Sequence, residues 1–139
     1  MASLAFGACG DDGGNGTEPD PAIAPFVGTW DAEVFTVTSD ADPDIVADLM
    51  VNGTFNINVQ PSGTYTATLA FGGIPLVEIG SLSVADDFLT LRPNGGDPAT
   101  SAYTFVTDDY LRLIGPTEFD FNLDDELEPA EAHIELQRR

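Results

Sequence analysis

The residues of this chain best suited to chemistry lie in one acidic segment, Asp120 to Glu131. This segment offers oxygen atoms at nearly alternating positions, on Asp120, Asn122, Asp124, Glu126, Glu128 and Glu131. Such a spacing allows one loop to wrap around a calcium ion, as in an EF-hand. Asp125, however, stands where the sharp turn of such a loop favours Gly, and a strand pattern rather than a helix follows. The segment therefore predicts either a calcium site or an acidic surface loop.

The single histidine, His133, is the next candidate for chemistry. Alternation with Ile134 places it on the outer face of a strand, beside Glu131 and Glu135. No Cys or Ser stands at a recognisable spacing to act with it as a nucleophile. The glycines mark hairpins rather than a phosphate-binding loop before a helix. We therefore expect no catalytic residues, no enzyme activity and no organic cofactor.

Composition limits the partners of the chain. Its 139 residues fit one domain, and 24 acidic residues against 4 basic ones give a formal net charge of -20. A surface of this charge repels phosphate backbones, which excludes nucleic acid as a partner. The one cysteine allows no intrachain disulfide. No apolar run approaches the roughly 18 to 20 residues that a membrane-spanning helix needs.

Residues 1–25 differ in character from the rest and change at Cys9. An apolar, small-residue run precedes Cys9, and a tract rich in Gly, Asp and Pro, with no core-forming pattern, follows it. Phe6-Gly7-Ala8-Cys9 resembles the lipobox of bacterial lipoproteins followed by a flexible tether. The resemblance implies lipid on Cys9 and a location in the bacterial cell envelope, anchored to a membrane on the periplasmic or cell-surface side. The alternative is an incidental thiol in a disordered leader.

From residue 26 to 139 the dominant sequence period is two. Phe55, Ile57 and Val59, for example, alternate with polar residues, which is typical of half-buried antiparallel strands. Short turn motifs rich in Gly, Pro and Asp separate these runs, so each strand is expected to pair with the next. The predicted strands are 27–38, 54–60, 64–71, 75–84, 87–92, 102–107, 110–115 and 130–138.

Eight such strands with one apolar face must stack as two sheets or close into a barrel. Closure removes exposed sheet edges, so we favour an all-β, eight-stranded antiparallel up-and-down barrel. The segment 39–51 has two interpretations. Asp42 and Pro43 could begin a short helix, or the segment could extend the second strand. Either form would cover one end of the barrel.

The only Trp follows a Gly at the start of the first strand, in Gly28-Thr29-Trp30. With Trp30 facing inward, alternation also places Val34 inward, whereas Phe35 and Val37 break the phase. That break indicates a bulge or an outer apolar surface. The Gly-x-Trp motif and the meander resemble the lipocalins, and more closely the short lipocalin-like lipoproteins of bacteria. This resemblance implies that Trp30 packs across the closed end of the barrel under a basic residue, for which the candidates are Arg112 and Arg138.

The expected barrel interior is almost wholly apolar. A small barrel can be filled by its own side chains or can hold one small ligand. The lipocalin resemblance favours a monomer that binds a small hydrophobic molecule. The alternative is a structural or protein-interaction lipoprotein with a packed, ligand-free barrel. The predicted ligand-binding residues are Trp30, Val34, Phe55, Ile57, Tyr65, Leu69, Leu82, Leu91, Tyr103, Phe105 and Leu113.

Overall fold

The computed structural model describes residues 20–139, and in it one antiparallel sheet closes on itself. A short 3-10 helix, Ala24–Phe26, precedes the strands. The strands are β1 (Gly28–Ser39), β2 (Val46–Asp48), β3 (Gly53–Val59), β4 (Thr64–Phe71), β5 (Ile74–Ala85), β6 (Phe88–Pro93), β7 (Ala99–Thr107), β8 (Tyr110–Phe119) and β9 (Glu128–Arg138).

Closure depends on the pairing of the first strand with the last. From β3 onward each strand pairs with its successor, β1 pairs with β3, and β9 returns to pair with β1. The β1–β9 register runs from Trp30 opposite Arg138 to Ser39 opposite Ala130. The predicted eight-stranded up-and-down barrel is therefore confirmed, with β2 as one additional short strand.

The segment 39–51 contains a strand and no helix. β2 pairs with Thr36–Thr38 of β1, whereas β3 pairs with the beginning of β1 at residues 28–31. β2 and β3 thus pair with two parts of the same strand, β1, as the strand-extension interpretation predicted. The Asp42 carboxylate accepts the N–H of Asp44 at 3.1 Å in a local turn, after which the chain pairs with β1 as a strand instead of continuing into a helix.

A β-bulge in β1 changes which side chains face inward. The register with β9 shifts between Ala32 and Val34, so Val34 lies opposite Glu135, on the outer face. Beyond the bulge Phe35 lies opposite Ile134, and Val37 is buried. The inward placement of Val34 was therefore wrong, because one extra residue on a bulged strand reverses the alternation after it.

The interior contains one large cluster and one small cluster of apolar side chains. The small cluster joins Val37, Leu49 and Ala130 where β1, β2 and β9 meet. The large cluster fills the barrel with Ile23, Phe26, Trp30, Ala32, Ile57, Val59, Tyr65, Ala67, Leu82, Leu89, Leu111, Leu113 and Leu136. Core packing thus extends from the end that contains Trp30 through the middle of the barrel.

The packed structure begins before residue 26, the expected boundary of the domain. Asp20 starts a turn in which its backbone oxygen accepts the N–H groups of Ile23 and Ala24, and its side chain accepts that of Ala22. This turn directs Ile23 into the core. Within residues 20–139 no helix has the length and apolarity to cross a membrane.

Candidate functional site

The closed end is the end where the 3-10 helix meets the β7–β8 turn, Asp108 and Asp109. Here the indole N–H of Trp30 donates to the backbone oxygen of Phe26 at 2.8 Å, and both side chains are buried. The Arg138 guanidinium lies 4.2 Å above the centre of the Trp30 ring. Such a contact combines apolar burial with a cation–π attraction. Of the two candidates that the lipocalin resemblance suggested, Arg138 is the covering residue.

Arg138 also fastens several segments of the closed end together. Its Nε donates to the carboxylate of Asp109 at 2.9 Å, and its terminal nitrogens donate to the backbone oxygens of Pro25, Val27 and Asp108. A hydrogen bond from a charged donor is stronger than one between two neutral groups. Arg138 therefore acts as a structural clamp, with four hydrogen bonds to the protein itself.

A pocket of about 570 Å³ lies beside this clamp, between the 3-10 helix and the barrel rim. The predicted ligand residues Tyr103 and Phe105 lie here and pack against Phe26, with ring centres 5.1 and 5.0 Å away from it. The Tyr103 hydroxyl donates to the backbone oxygen of Asp86, and Arg138 makes four side-chain hydrogen bonds within the protein. The side chains of Asp86 and Asp108 also line this pocket, so its wall carries more charged groups than that of a purely apolar ligand site.

The open end is the opposite end, formed by the β4–β5 hairpin and the loop between β8 and β9. There β5 extends beyond its pairing with β6, which begins at Gly80. Leu76 lies opposite Leu69 on the inward phase, yet it is 62% exposed, because among the described strands this part of β5 pairs only with β4. A pocket of about 320 Å³ opens at this place, lined by Phe35, Phe55, Ala67, Leu69, Leu76, Val77, Glu78 and Leu91.

The predicted ligand residues divide among the regions of the barrel. Phe55, Leu69 and Leu91 line the open-end pocket. Tyr103 and Phe105 lie at the closed end, and Val34 lies outside the barrel. The remaining five are buried among other core side chains, namely Trp30, Ile57, Tyr65, Leu82 and Leu113. Only three of the predicted residues therefore meet at one pocket.

Sequence reasoning missed one polar residue of the open-end pocket, Glu78. It lies opposite buried Ala67 in the β4–β5 register, so its side chain belongs to the inward phase. The hydroxyl of Tyr65 donates to Glu78 Oε2 at 2.6 Å. Burial, together with this carboxylate, strongly raises the pKa of Tyr65, which stays a neutral donor. The sequence did not reveal which face of β5 Glu78 occupies, because the residues before it are apolar on both faces.

His133 lies on the outer wall, as predicted. Its Nε2 is 2.7 Å from Glu135 Oε2, and the Tyr110 hydroxyl donates to Glu135 Oε1 at 2.7 Å. Hydrogen bonds from Tyr110 and His133 lower the pKa of Glu135, whose carboxylate also pairs with Arg112. This cluster joins β8 to β9 from outside, where it braces the sheet.

The acidic segment forms the loop between β8 and β9 at the open end. Carboxylate oxygens of Asp120, Asp124 and Glu128 come within 4.8 Å of one another. The Asp120 carboxylate accepts the N–H groups of Asp124 and Asp125, and Asp125 has a φ of 68°, the left-handed conformation for which this loop type favours Gly. Asn122 accepts the N–H of Asp124. Glu126 and Glu131, the other predicted ligands, do not join the three carboxylates.

The fold and the site together define a class of protein, a closed up-and-down barrel with an apolar pocket at its open end. No protein-family model and no curated protein matches the chain. Among solved structures, that of EF1p2_mFAP2b bound to DFHBI is similar, with a TM-score of 0.54 and 18% sequence identity, over 85% of this chain and 97% of that chain. This likeness shows the fold alone. Cys9, the predicted lipidation site, lies outside the described residues.

Proposed function

We propose that the protein is a non-catalytic, lipocalin-like barrel that binds one small hydrophobic molecule in the open-end pocket. The supporting observation is the pocket of about 320 Å³ among inward apolar side chains at an uncovered rim. This volume lies at the lower end of the range for small-molecule sites, roughly 300 to 1,000 Å³. The structural neighbour was solved with the small molecule DFHBI, which supports the proposal by analogy of fold.

Titration with the neutral apolar dye Nile red tests this function. Binding in the pocket is expected to raise and blue-shift the fluorescence. Leu69→Trp, which fills the pocket, should weaken binding by tenfold or more, whereas Val106→Trp adds the same side chain at an exposed position outside the pocket and should leave binding unchanged. Equal binding by both variants, or none by the wild-type protein, would contradict the proposal.

The second candidate is a ligand-free barrel that interacts with another protein. It is favoured by the exposed apolar side chains Ile74, Val77 and Ile79 on β5, whose first half pairs only with β4 within the described residues. An open strand edge of this kind can pair with a further strand. Under this candidate Val77→Lys should abolish an association seen by analytical ultracentrifugation, and Nile red should not bind.

We also propose a lipid anchor on Cys9 and a location in the bacterial cell envelope. The support is the lipobox-like sequence Phe6-Gly7-Ala8-Cys9, followed by its Gly- and Asp-rich tract. Bacterial lipoproteins carry several acyl chains, which is what stable anchoring requires. Mass spectrometry of membrane fractions from a bacterial host should find lipid mass on Cys9 and none on Cys9→Ser. An unmodified Cys9 would refute the anchor.

For the loop between β8 and β9 we propose weak calcium binding by Asp120, Asp124 and Glu128. Their convergent carboxylates supply the hard oxygen ligands that calcium prefers. At a tenfold excess over its dissociation constant, calcium should stabilise the fold by about 1.4 kcal/mol. A thermal melt at constant ionic strength measures this effect, with Asp124→Asn as the control. An increase in melting temperature that sodium reproduces, or that survives in Asp124→Asn, would exclude specific binding.

A further inference from the structure

The open-end pocket contains one carboxylate among apolar walls, that of Glu78, which has one partner among the described residues. Tyr65, which has no exposed surface, donates its hydroxyl to Oε2 of Glu78. Within residues 20–139 this is the one side-chain hydrogen bond that Glu78 makes. The second carboxylate oxygen is thus left for solvent or for a bound molecule.

No basic side chain neutralises Glu78. The chain has four basic residues, all of them Arg. Three of these pair elsewhere: Arg112 with Glu135, Arg138 with Asp109, and Arg139 with Asp31. Within the described part of the chain none forms an ion pair with Glu78. Glu78 is itself exposed, so its carboxylate is accessible to a cationic group of a bound molecule.

The walls of the pocket suit a molecule with an apolar body. Phe35 and Phe55 meet edge to face, with ring centres 5.2 Å apart, and Leu69, Leu76 and Leu91 complete the apolar surface. Aromatic rings at the site also attract cations. The formal net charge of -20 adds a field that raises the local concentration of cations around the whole molecule.

We propose that the open-end pocket selects hydrophobic amines, with the ammonium group against Glu78 and the apolar body among Phe35, Phe55 and Leu69. This inference rests on the proposed function and specifies its ligand class. The hydrogen bond from Tyr65 holds one oxygen of this carboxylate in place. An anionic ligand of the same size would be repelled.

Three eight-carbon probes that differ only in their head group test this selectivity. Octylamine is cationic near pH 7, octanol is neutral, and octanoate is anionic. Displacement of Nile red should give an affinity for octylamine roughly fivefold to tenfold higher than for octanol, the range expected for a charge-assisted contact at a partly open site. Octanoate should bind most weakly.

Two charge-matched variants separate Glu78 from the general acidity of the protein. Glu78→Gln should remove the preference for octylamine and retain the affinity for octanol. Glu118→Gln removes one exposed carboxylate outside the pocket and should retain the preference. Circular dichroism would check that both variants fold as the wild type does.

The outcomes distinguish the inference from the function on which it rests. Binding of Nile red and octanol without a preference for octylamine would overturn the inference and leave the proposed function standing. A preference that persists in Glu78→Gln would also overturn it, since the carboxylate would then not be the recognition group. No binding of any probe, including Nile red, would refute the proposed function itself.

Discussion

The closed and open ends of the barrel use the same alternating pattern with different results. At the closed end Trp30 is 1% exposed, because the 3-10 helix and Arg138 cover it. At the open end Leu76 and Ile74 are 62% and 68% exposed, although they share the inward phase. The comparison teaches that alternation decides which way a side chain faces, whereas burial depends on what covers the end of the barrel. Stability is therefore expected to reside at one end and ligand binding at the other.

Truncation of Trp30 should have the largest effect on stability. Trp30→Ala removes a fully buried indole and is expected to lower the free energy of unfolding by about 3 to 5 kcal/mol. Trp30→Phe keeps most of the apolar area but loses the hydrogen bond to Phe26, so a smaller loss is expected. Urea denaturation followed by circular dichroism measures both. A loss below about 1 kcal/mol in Trp30→Ala would contradict the assignment of the core to this end.

Loss of the Arg138 clamp should rank second. Arg138→Gln removes four hydrogen-bond contacts and the cation above Trp30, with an expected cost of about 2 to 3 kcal/mol. Arg138→Lys keeps the charge but not the planar fork, so it should recover only part of this loss. Arg139→Gln, at an exposed pair with Asp31, serves as the control. If Arg139→Gln destabilised the protein as much as Arg138→Gln, net charge rather than clamping would be the cause.

Acidification should have a smaller effect, which depends on contacts of the outer wall. The Tyr110 hydroxyl and His133 lower the pKa of Glu135, and Arg139 lowers that of Asp31. A carboxyl group whose pKa is lowered by folding stabilises the folded state when the pH is above its ordinary pKa. That stability is lost as the pH falls below about 4 and the group becomes protonated. Glu135→Gln should reduce the loss in the free energy of unfolding between pH 7 and pH 3 by about 1 kcal/mol or less. Urea titrations from pH 3 to 7 would reveal it, and parallel profiles for both proteins would refute it.

A polar substitution at the open rim should have the smallest effect on stability. Leu76→Ser removes an apolar side chain that is already mostly in water, so the free energy of unfolding should change by less than about 0.5 kcal/mol. The same substitution removes part of the pocket wall, so Nile red should bind several-fold more weakly. Calorimetry and dye titration on one sample compare the two effects. A large loss of stability would mean that the open end also belongs to the core.

Most of the fold could be predicted from alternation and turn residues. The predicted strand 64–71 coincides with β4, and the other seven predicted strands overlap the observed ones. The bulge in β1 was visible only as a break of phase at Phe35, which allowed two explanations. The burial of Ile23 was not predicted, because a single apolar residue in a polar segment has no period, and its turn depends on the hydrogen bonds of Asp20.

Less of the candidate site could be predicted. The sequence pattern identified Phe55, Leu69 and Leu91 as inward-facing, but it did not tell which inward positions are filled by neighbours and which remain open. That difference arises because β6 pairs only with the second half of β5, a property of register between strands. Glu78 was missed for the same reason, since its face is set by its position opposite Ala67.

The contacts of Arg138 with Pro25 and Val27 span more than 110 positions of the chain, 113 and 111 respectively. During synthesis, β1 emerges long before β9, the strand that completes its pairing. Until then one edge of β1 and one edge of β8 expose unpaired backbone groups, and pairing over such a separation is slow because a long loop must first be closed. The last step of folding is therefore expected to be the docking of β9, and a chain arrested before it presents the edges that promote aggregation.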